Sequence, residues 1–89
     1  MNKRGKLEII KDILEIIRNN SNSIKPTPLL RKANVSSSRF KGYYTEILKK
    51  GFIKEFEKNG EKFVSLQEKG MKFLSRYSAI REFIDEFEL

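Results

Sequence analysis

The sequence predicts a single, mainly helical α+β domain that contains one β-hairpin and ends in a long helix. Its length of 89 residues fits one domain. Apolar residues recur at helical spacing through most of the chain. Two short segments rich in aromatic and β-branched residues are joined by Asn59-Gly60, which is the strongest two-residue hairpin signal.

The first half of the chain predicts two helices joined by a short extended segment. Apolar residues at helical spacing predict helix 1 from Leu7 to Arg18, with a second apolar stripe beside the first. A polar run at 19–23 ends it. We expect 24–26 to be extended, with Thr27 as the N-cap of a short helix 2 that begins at Pro28 and ends at Ala33.

A third helix, a hairpin and a fourth helix follow. The serine run 36–38 supplies an N-cap for helix 3, predicted over 37–50, and Gly51 ends it. The hairpin, predicted over 53–66, pairs Ile53 with Leu66, Phe56 with Phe63, and Glu57 with Lys62. Residues 65–68 fit a capping box that opens helix 4, which is expected to extend to about Phe87.

Charge is distributed unevenly along the chain. Nineteen Lys and Arg residues against twelve Asp and Glu residues give a net charge of +7. Between residues 25 and 54 there are eight basic residues and one acidic residue, Glu46, whereas residues 79–89 hold four acidic residues and Arg81. The centre of the chain is therefore expected to bind a polyanion.

Several function classes are excluded or disfavoured. The absence of Cys and His excludes disulfides, thiol chemistry, the common zinc ligand sets and an imidazole base. No phosphate-binding loop or nucleophile motif is present, so we expect no enzyme activity and no cofactor. The acidic groups Glu55/Glu57 and Glu82/Asp85/Glu86 are expected to be solvated faces rather than metal sites. No apolar run approaches a membrane span, and we expect a cytoplasmic protein.

The order of elements is that of a winged helix-turn-helix. The segments TPLL at 27–30, ANVS at 33–36, YYTEILKKGFI at 43–53 and LQEKG at 66–70 resemble a family of small archaeal winged-helix DNA-binding proteins. Tyr44 stands where leucine is usual and Gln67 where threonine is usual. The resemblance implies a DNA-binding domain at 1–66, with helix 3 in the major groove and the hairpin wing on the backbone. It also implies a dimerisation helix at 67–89 that pairs two chains as an antiparallel coiled coil.

Candidate DNA contacts follow from the periodicity of helix 3. With its apolar residues turned inward, its outer face carries small polar residues and cations, and Gly42 hints at the close approach of a backbone. The open alternative is an ordinary solvated helix face with a serine cap. The spacing assigns Tyr44 to the core, so Tyr43 alone remains a candidate for base stacking. The basic start Lys3, Arg4 and Lys6 is either a DNA-binding arm or disordered. The complete candidate set is Thr27, Arg31, Ser37, Ser38, Arg39, Lys41, Gly42, Tyr43, Thr45, Lys49, Lys58, Asn59 and Lys62.

Helix 4 predicts a homodimer. Its apolar residues alternate steps of four and three, and we name them the C-terminal stripe: Phe73, Tyr77, Ile80, Ile84 and Phe87. The first half of the helix is basic and the second half is acidic, so antiparallel pairing sets opposite charges side by side. The alternative is that the stripe packs on its own domain, as we expect Met71 and Leu74 to do.

The expected function is double-stranded DNA binding, as a transcriptional regulator or a small chromosome-associated protein. The alternative is a protein-interaction module whose basic face docks an acidic partner. RNA binding ranks third, because sequence-specific RNA readers usually display stacking aromatics on an open sheet and this chain has only the pair Phe56 and Phe63.

Overall fold

The computed structural model describes residues 4–88, so Lys3 of the basic start lies outside the described residues. Six elements follow in the predicted order, and the mainly helical fold with one antiparallel hairpin is confirmed. No helix within residues 4–88 is long and apolar enough to cross a membrane. The elements are α1 Lys6–Asn19, α2 Pro26–Ala33, α3 Ser37–Lys49, β1 Ile53–Lys58, β2 Glu61–Leu66 and α4 Glu68–Glu86.

Helix α1 lies at the centre of the core. Its residues Ile13, Leu14 and Ile17 have no accessible surface. The other elements each bury apolar side chains in the same cluster, among them Leu29 of α2 and Ile47 of α3. Both apolar stripes of α1 are therefore used, as its periodicity predicts, apart from Leu7 at the start of the helix, which remains 59% exposed.

Helix α2 begins two residues earlier than predicted, and Thr27 is not its N-cap. Lys25 is the N-cap, with an extended backbone at φ −76° and ψ 149°. Pro26 takes the first helical position, where its missing N–H costs nothing because that group has no partner inside the helix. Pro28 lies within the first turn, where the same argument holds. Thr27 is consequently an exposed residue inside the helix.

Helix α3 is fixed at both ends by local signals. The Ser36 hydroxyl accepts a hydrogen bond from the Arg39 N–H at 3.3 Å, so the serine run does supply the N-cap. Asn34, with a left-handed backbone at φ 56°, makes the tight turn from α2. Gly51 at φ 82° follows the helix, as its role as a stop signal predicts.

The hairpin has the predicted register. Ile53 pairs with Leu66, Phe56 with Phe63, and Glu57 with Lys62. Asn59 and Gly60 have φ values of 54° and 77°, and a two-residue type I′ turn requires positive values at both positions. Ile24 adds an antiparallel bridge to Val64 on the outer edge of β2, which makes the predicted extended segment part of the sheet.

The start of α4 departs from the prediction. Gln67 is the N-cap and makes no side-chain capping bond, while Ser65 is buried within β2. The capping box does not form because the ladder with β1 continues as far as Leu66 and keeps Ser65 extended. Leu74 packs into the core as expected, but Met71 does not and is 48% exposed.

The entry to α4 is packed closely against the backbone before β1. The Gln67 N–H donates to the Phe52 carbonyl oxygen at 2.9 Å. A Cβ atom on Gly70 would lie 2.4 Å from the same oxygen, which is closer than atoms can approach without a backbone shift. Glycine is therefore required at position 70 by packing.

We predict that Gly70→Ala lowers the free energy of unfolding by about 1–3 kcal/mol, because the added methyl group forces the start of α4 away from Phe52. Gly42→Ala is the matched control. A Cβ at Gly42 has no neighbour within 4 Å, so this variant should gain up to about 1 kcal/mol from helix propensity. Urea unfolding measures both, and equal effects of the two substitutions would contradict the packing argument.

Candidate nucleic-acid interface

The outward face of α3 is a continuous exposed surface. Phe40 and Ile47 are buried on the inward side of the helix, with Tyr44 and Leu48 half-buried beside them. The structure places seven of the candidate residues on the exposed remainder of this one helix: Ser37, Ser38, Arg39, Lys41, Gly42, Thr45 and Lys49. No described group lies within 4 Å of the Cβ position at Gly42, so its missing side chain leaves open space.

Arg39 is anchored to its neighbour on the helix. Its guanidinium carbon lies 5.9 Å from the ring centroid of Tyr43, and one of its N–H groups donates to the Tyr43 hydroxyl at 3.4 Å. Tyr43 is half-buried and packs against the core. The ring thus lies between Arg39 and the core and supports the guanidinium, while part of the ring remains exposed.

Tyr44 links α3 to the hairpin. Its ring stacks on Phe40 at 5.5 Å, and its hydroxyl donates a hydrogen bond to Glu55 on β1. Burial, together with this bond to a carboxylate, raises the pKa of the Tyr44 hydroxyl well above its usual range. The Lys62 ammonium lies 3.6 Å from the same carboxylate. A tyrosine in place of leucine at this half-buried position therefore ties α3 to the strand beside it.

The basic start of the chain is held by protein groups within its described part. Arg4 donates to Asp12 at 2.8 Å and to the carbonyl oxygens of Ala33 and Asn34, at 3.2 and 2.7 Å. It thereby joins α1 to the end of α2 and to the turn that leads into α3. Lys6 lies 2.9 Å from Glu46, whose carboxyl pKa is lowered by hydrogen bonds from Lys50 and Lys6.

The excess positive charge of the central segment stays exposed. Of its eight cations, Lys25 pairs with Glu61 and Lys50 pairs with Glu46. The other six have no carboxylate within 4 Å in the part of the chain that the structure describes: Arg31, Lys32, Arg39, Lys41, Lys49 and Lys54. The remaining candidates Thr27, Lys58 and Asn59 are exposed, and Lys62 faces Glu55. This surface has a net positive charge that the described acidic groups do not neutralise.

Comparison with known proteins identifies the fold family. The model of the winged helix-turn-helix family matches residues 3–85. The chain belongs to the winged helix-turn-helix family. In the nomenclature used for winged helix-turn-helix proteins, α3 is called the recognition helix and the hairpin of β1 and β2 is called the wing.

Two solved structures resemble this one over nearly its full length. Sso10a-2, described as a DNA-binding protein from Sulfolobus solfataricus, superposes with a TM-score of 0.71 at 25% identity and covers 96% of this chain and 90% of its own. F-93 of SSV1 superposes with a TM-score of 0.68 at 23% identity, covering 98% of this chain and 97% of its own. A search of curated proteins returned no match. The long last helix is therefore part of the shared fold.

The C-terminal stripe divides into two parts. Phe73 is half-buried and contacts Phe52 edge-on at 5.8 Å, and Tyr77 stacks on Phe73 at 6.0 Å, so the first part packs on its own domain. Ile80 and Phe87 are 61% and 55% exposed, and Ile84 is half-buried. Phe83, which the sequence argument missed, is 55% exposed and packs on Phe87 at 4.7 Å. The second part of the stripe is left facing solvent in a single chain.

Asp12 and Glu55 are positioning residues that the sequence argument missed. Asp12 lies on α1, whose buried residues are all apolar, and Glu55 lies on β1 of the wing. The only sequence signal for Glu55 was Tyr44, since a tyrosine at a half-buried position needs a partner for its hydroxyl. For Asp12 the partner, Arg4, lies eight residues away beyond the start of the helix.

We predict that Asp12→Asn destabilises the protein most at neutral pH. Burial alone raises the pKa of the Asp12 carboxyl, but hydrogen bonds and charge from Lys11 and Arg4 outweigh it and hold the pKa below its usual value. A carboxylate whose pKa is lowered in the folded state stabilises the fold above about pH 4. This stabilisation is lost as the pH falls through the folded-state pKa. Urea unfolding at pH 7 and pH 3 should therefore show a smaller difference between variant and wild type at pH 3.

Asp85→Asn is the matched control for Asp12→Asn. Its carboxylate is exposed and lies 3.7 Å from Arg81, and such surface pairs contribute little. If the effect of Asp12→Asn were the same at both pH values, or no larger than that of Asp85→Asn, the Arg4–Asp12 link would not stabilise the fold.

Proposed function

We propose that this protein binds double-stranded DNA through the recognition helix and the wing. The observation that carries the proposal is the exposed face of α3, where cations lie among small polar residues and have no carboxylate within 4 Å in residues 4–88. Membership of the winged helix-turn-helix family supports it, as does the description of the similar Sso10a-2 as a DNA-binding protein.

The charge distribution favours a polyanion over a small acidic ligand. Cations with no carboxylate within 4 Å among the described residues lie on three elements: Arg31 on α2, several on α3, and Lys54 and Lys58 on β1. Several cations suit the regularly spaced phosphates of a duplex, whose condensed counterions are released when lysine and arginine replace them. Most acidic groups of the central segment and the wing are held in ion pairs. Glu46 pairs with Lys50, Glu55 with Lys62 and Glu61 with Lys25.

The chemistry of the exposed face suits a major groove. Small side chains at 37, 38, 42 and 45 allow the helix to approach closely, while Arg39 and Lys41 are long enough to reach base edges or phosphates. Arg39 is already restrained by Tyr43, so less side-chain freedom is lost on binding. We assign the remaining candidates to contacts with backbone phosphates: Thr27, Arg31, Lys49 and the wing residues Lys58, Asn59 and Lys62. The protein would act as a regulator of transcription or as a small chromosome-associated protein.

A titration with duplex DNA tests this function. Fluorescence anisotropy at several salt concentrations should give a logarithm of affinity that falls linearly with the logarithm of salt, by about 0.9 for each phosphate contact. Absence of affinity for duplex DNA at low salt would contradict the proposal, and co-purification of one acidic protein would then favour the interaction module.

Substitutions separate the roles of the recognition helix and the wing. With a duplex selected from random sequences, Arg39→Ala or Lys41→Ala should weaken binding to the selected sequence by about 1–3 kcal/mol. Lys58→Ala and Lys62→Ala should weaken binding to all sequences about equally, because phosphates carry no sequence information. Arg18→Ala, which removes one exposed cation from the end of α1, is the matched control. The assignment fails if wing variants change sequence preference and helix variants do not.

We also propose that two copies pair through α4. Only the first half of this 19-residue helix packs on its own domain, with Gly70 and Leu74 buried. Ile80, Phe83 and Phe87 remain more than half exposed, and Leu7 faces the same apolar groove as Phe73, Tyr77 and Ile80. A contiguous apolar surface of this kind favours burial by a second chain. The basic first half and the acidic second half of α4 favour an antiparallel arrangement.

Light scattering and crosslinking test the dimer and its direction. Ile80→Glu should give a monomer at micromolar concentration, whereas Ser78→Glu, exposed on another face of α4, should not. The chain has no cysteine, so any disulfide crosslink must form through the cysteine that is introduced. Ile80, the middle residue of the stripe, should crosslink to its own copy as Ile80→Cys, and Phe87→Cys should not. Ready self-crosslinking of Phe87→Cys would indicate parallel helices, and a monomeric wild type would exclude the dimer.

A further inference from the structure

The two faces of the hairpin differ in what they contact. One face, with Ile53, Val64 and Leu66, is buried in the core. The opposite face carries Phe56 and Phe63, which stack across the strands with ring centroids 5.8 Å apart and an interplanar angle of 24°. Both rings are half-buried, and neither belongs to the core cluster or packs against it. The hairpin thus displays an aromatic pair on the side turned away from the core.

Phe63 is enclosed on both sides, but Phe56 is not. The bridge between Ile24 and Val64 places Lys25 beside Phe63 on the side opposite β1, and the Lys25 ammonium lies 5.9 Å from the Phe63 ring centroid. Phe56 lies on β1, which is the free edge of the sheet. Within residues 4–88 no cation lies over the Phe56 ring and Phe63 is the one aromatic ring stacked on it. Phe56 can therefore accept a further stacking partner at the sheet edge.

Two exposed cations flank this ring. Lys54 and Lys58 lie two residues before and after Phe56, so they share its face of the strand, each about 7 Å along it. Neither has a carboxylate within 4 Å among the described residues. Glu61 is the acidic residue of this face, and it is paired with Lys25. The edge strand therefore presents a ring between two ammonium groups, in a locally positive field.

We propose that Phe56, with Lys54 and Lys58, is a stacking site for an unpaired base of single-stranded nucleic acid. A base has a flat apolar face for the ring, and the phosphates on either side of it are the anions that the two lysines require. Bases of an intact duplex are already stacked on each other and cannot occupy the site. Stacking on Phe56 is therefore separate from the duplex binding proposed for the recognition helix and the wing, although Lys54 and Lys58 can pair with phosphates in both cases, and the unpaired base comes from melted DNA or from RNA.

Cross-strand packing of the two phenylalanines also stabilises the hairpin. That role requires both rings equally, whereas base stacking requires mainly the open ring of Phe56. Substituting each phenylalanine in turn therefore distinguishes base stacking from stabilisation of the hairpin.

A tryptophan at position 56 provides a direct reporter, since the chain contains no other. In Phe56→Trp, fluorescence should be quenched by oligo(dT) and oligo(U) of about 12 nucleotides, but not by an abasic oligomer of equal length. Phe83→Trp, an exposed aromatic position in the acidic half of α4, is the control and should not be quenched. Quenching by only one of the two oligomers would identify the source as DNA or RNA. No quenching, or equal quenching by the abasic oligomer or in the control, would overturn the proposal.

Affinities provide the second test. Phe56→Leu should weaken binding to oligo(dT) about tenfold, because the loss of stacking on one base lowers affinity by roughly this factor. Affinity for duplex DNA should be unchanged. Phe63→Leu, which removes the same cross-strand contact, should have a much smaller effect. Equal weakening by both variants would show that only hairpin stability matters. The single-strand assay needs no duplex, so its failure is distinguishable from failure of the duplex-binding proposal.

Discussion

Helix α1 is apolar on two faces, and the need to bury both of them determines how the other elements are arranged. Residues Ile13, Leu14 and Ile17 have no accessible surface, and each such side chain contributes about 1.5–3 kcal/mol when fully buried. A helix of this kind needs neighbours around most of its circumference, and α2, β2 and α4 supply them. The recognition helix completes the core with Phe40 and Ile47 and keeps its other side free.

Polar contacts then orient the recognition helix without using its outer face. Arg4 joins Asp12 to the carbonyl oxygens at the end of α2, and Tyr44 joins α3 to Glu55 of the wing. These contacts lie at the edges of α3 and at the turn that precedes it. Apart from Tyr43 and Lys62, the residues that stabilise the domain and those proposed to bind DNA are different sets, so a substitution such as Lys41→Ala can weaken binding while the fold is retained.

The order of elements, the hairpin register and the exposed face of α3 were predictable because each depends on local signals: helical spacing, Asn59-Gly60 and the serine cap. The start of α2 was not, because both Pro26 and Pro28 suit a first turn. Ser65 was misassigned because strand pairing, a non-local interaction, competes with helix capping. The contacts of Arg4 span up to 30 residues, and no sequence pattern indicated them. Met71 was misplaced because α4 packs on the domain through Gly70, Phe73 and Leu74, and Met71 lies to one side of that face, which apolar spacing alone does not show.

We propose that α3 and the wing form one duplex-binding surface, on a domain whose stabilising contacts lie elsewhere. An NMR titration of isotopically labelled protein with duplex DNA tests it at every amide in one experiment. We expect the largest chemical-shift changes at the exposed positions of 37–49 and at the wing tip 58–62, with little change in the buried residues of α1. Changes concentrated in α4, with α3 unaffected, would contradict it.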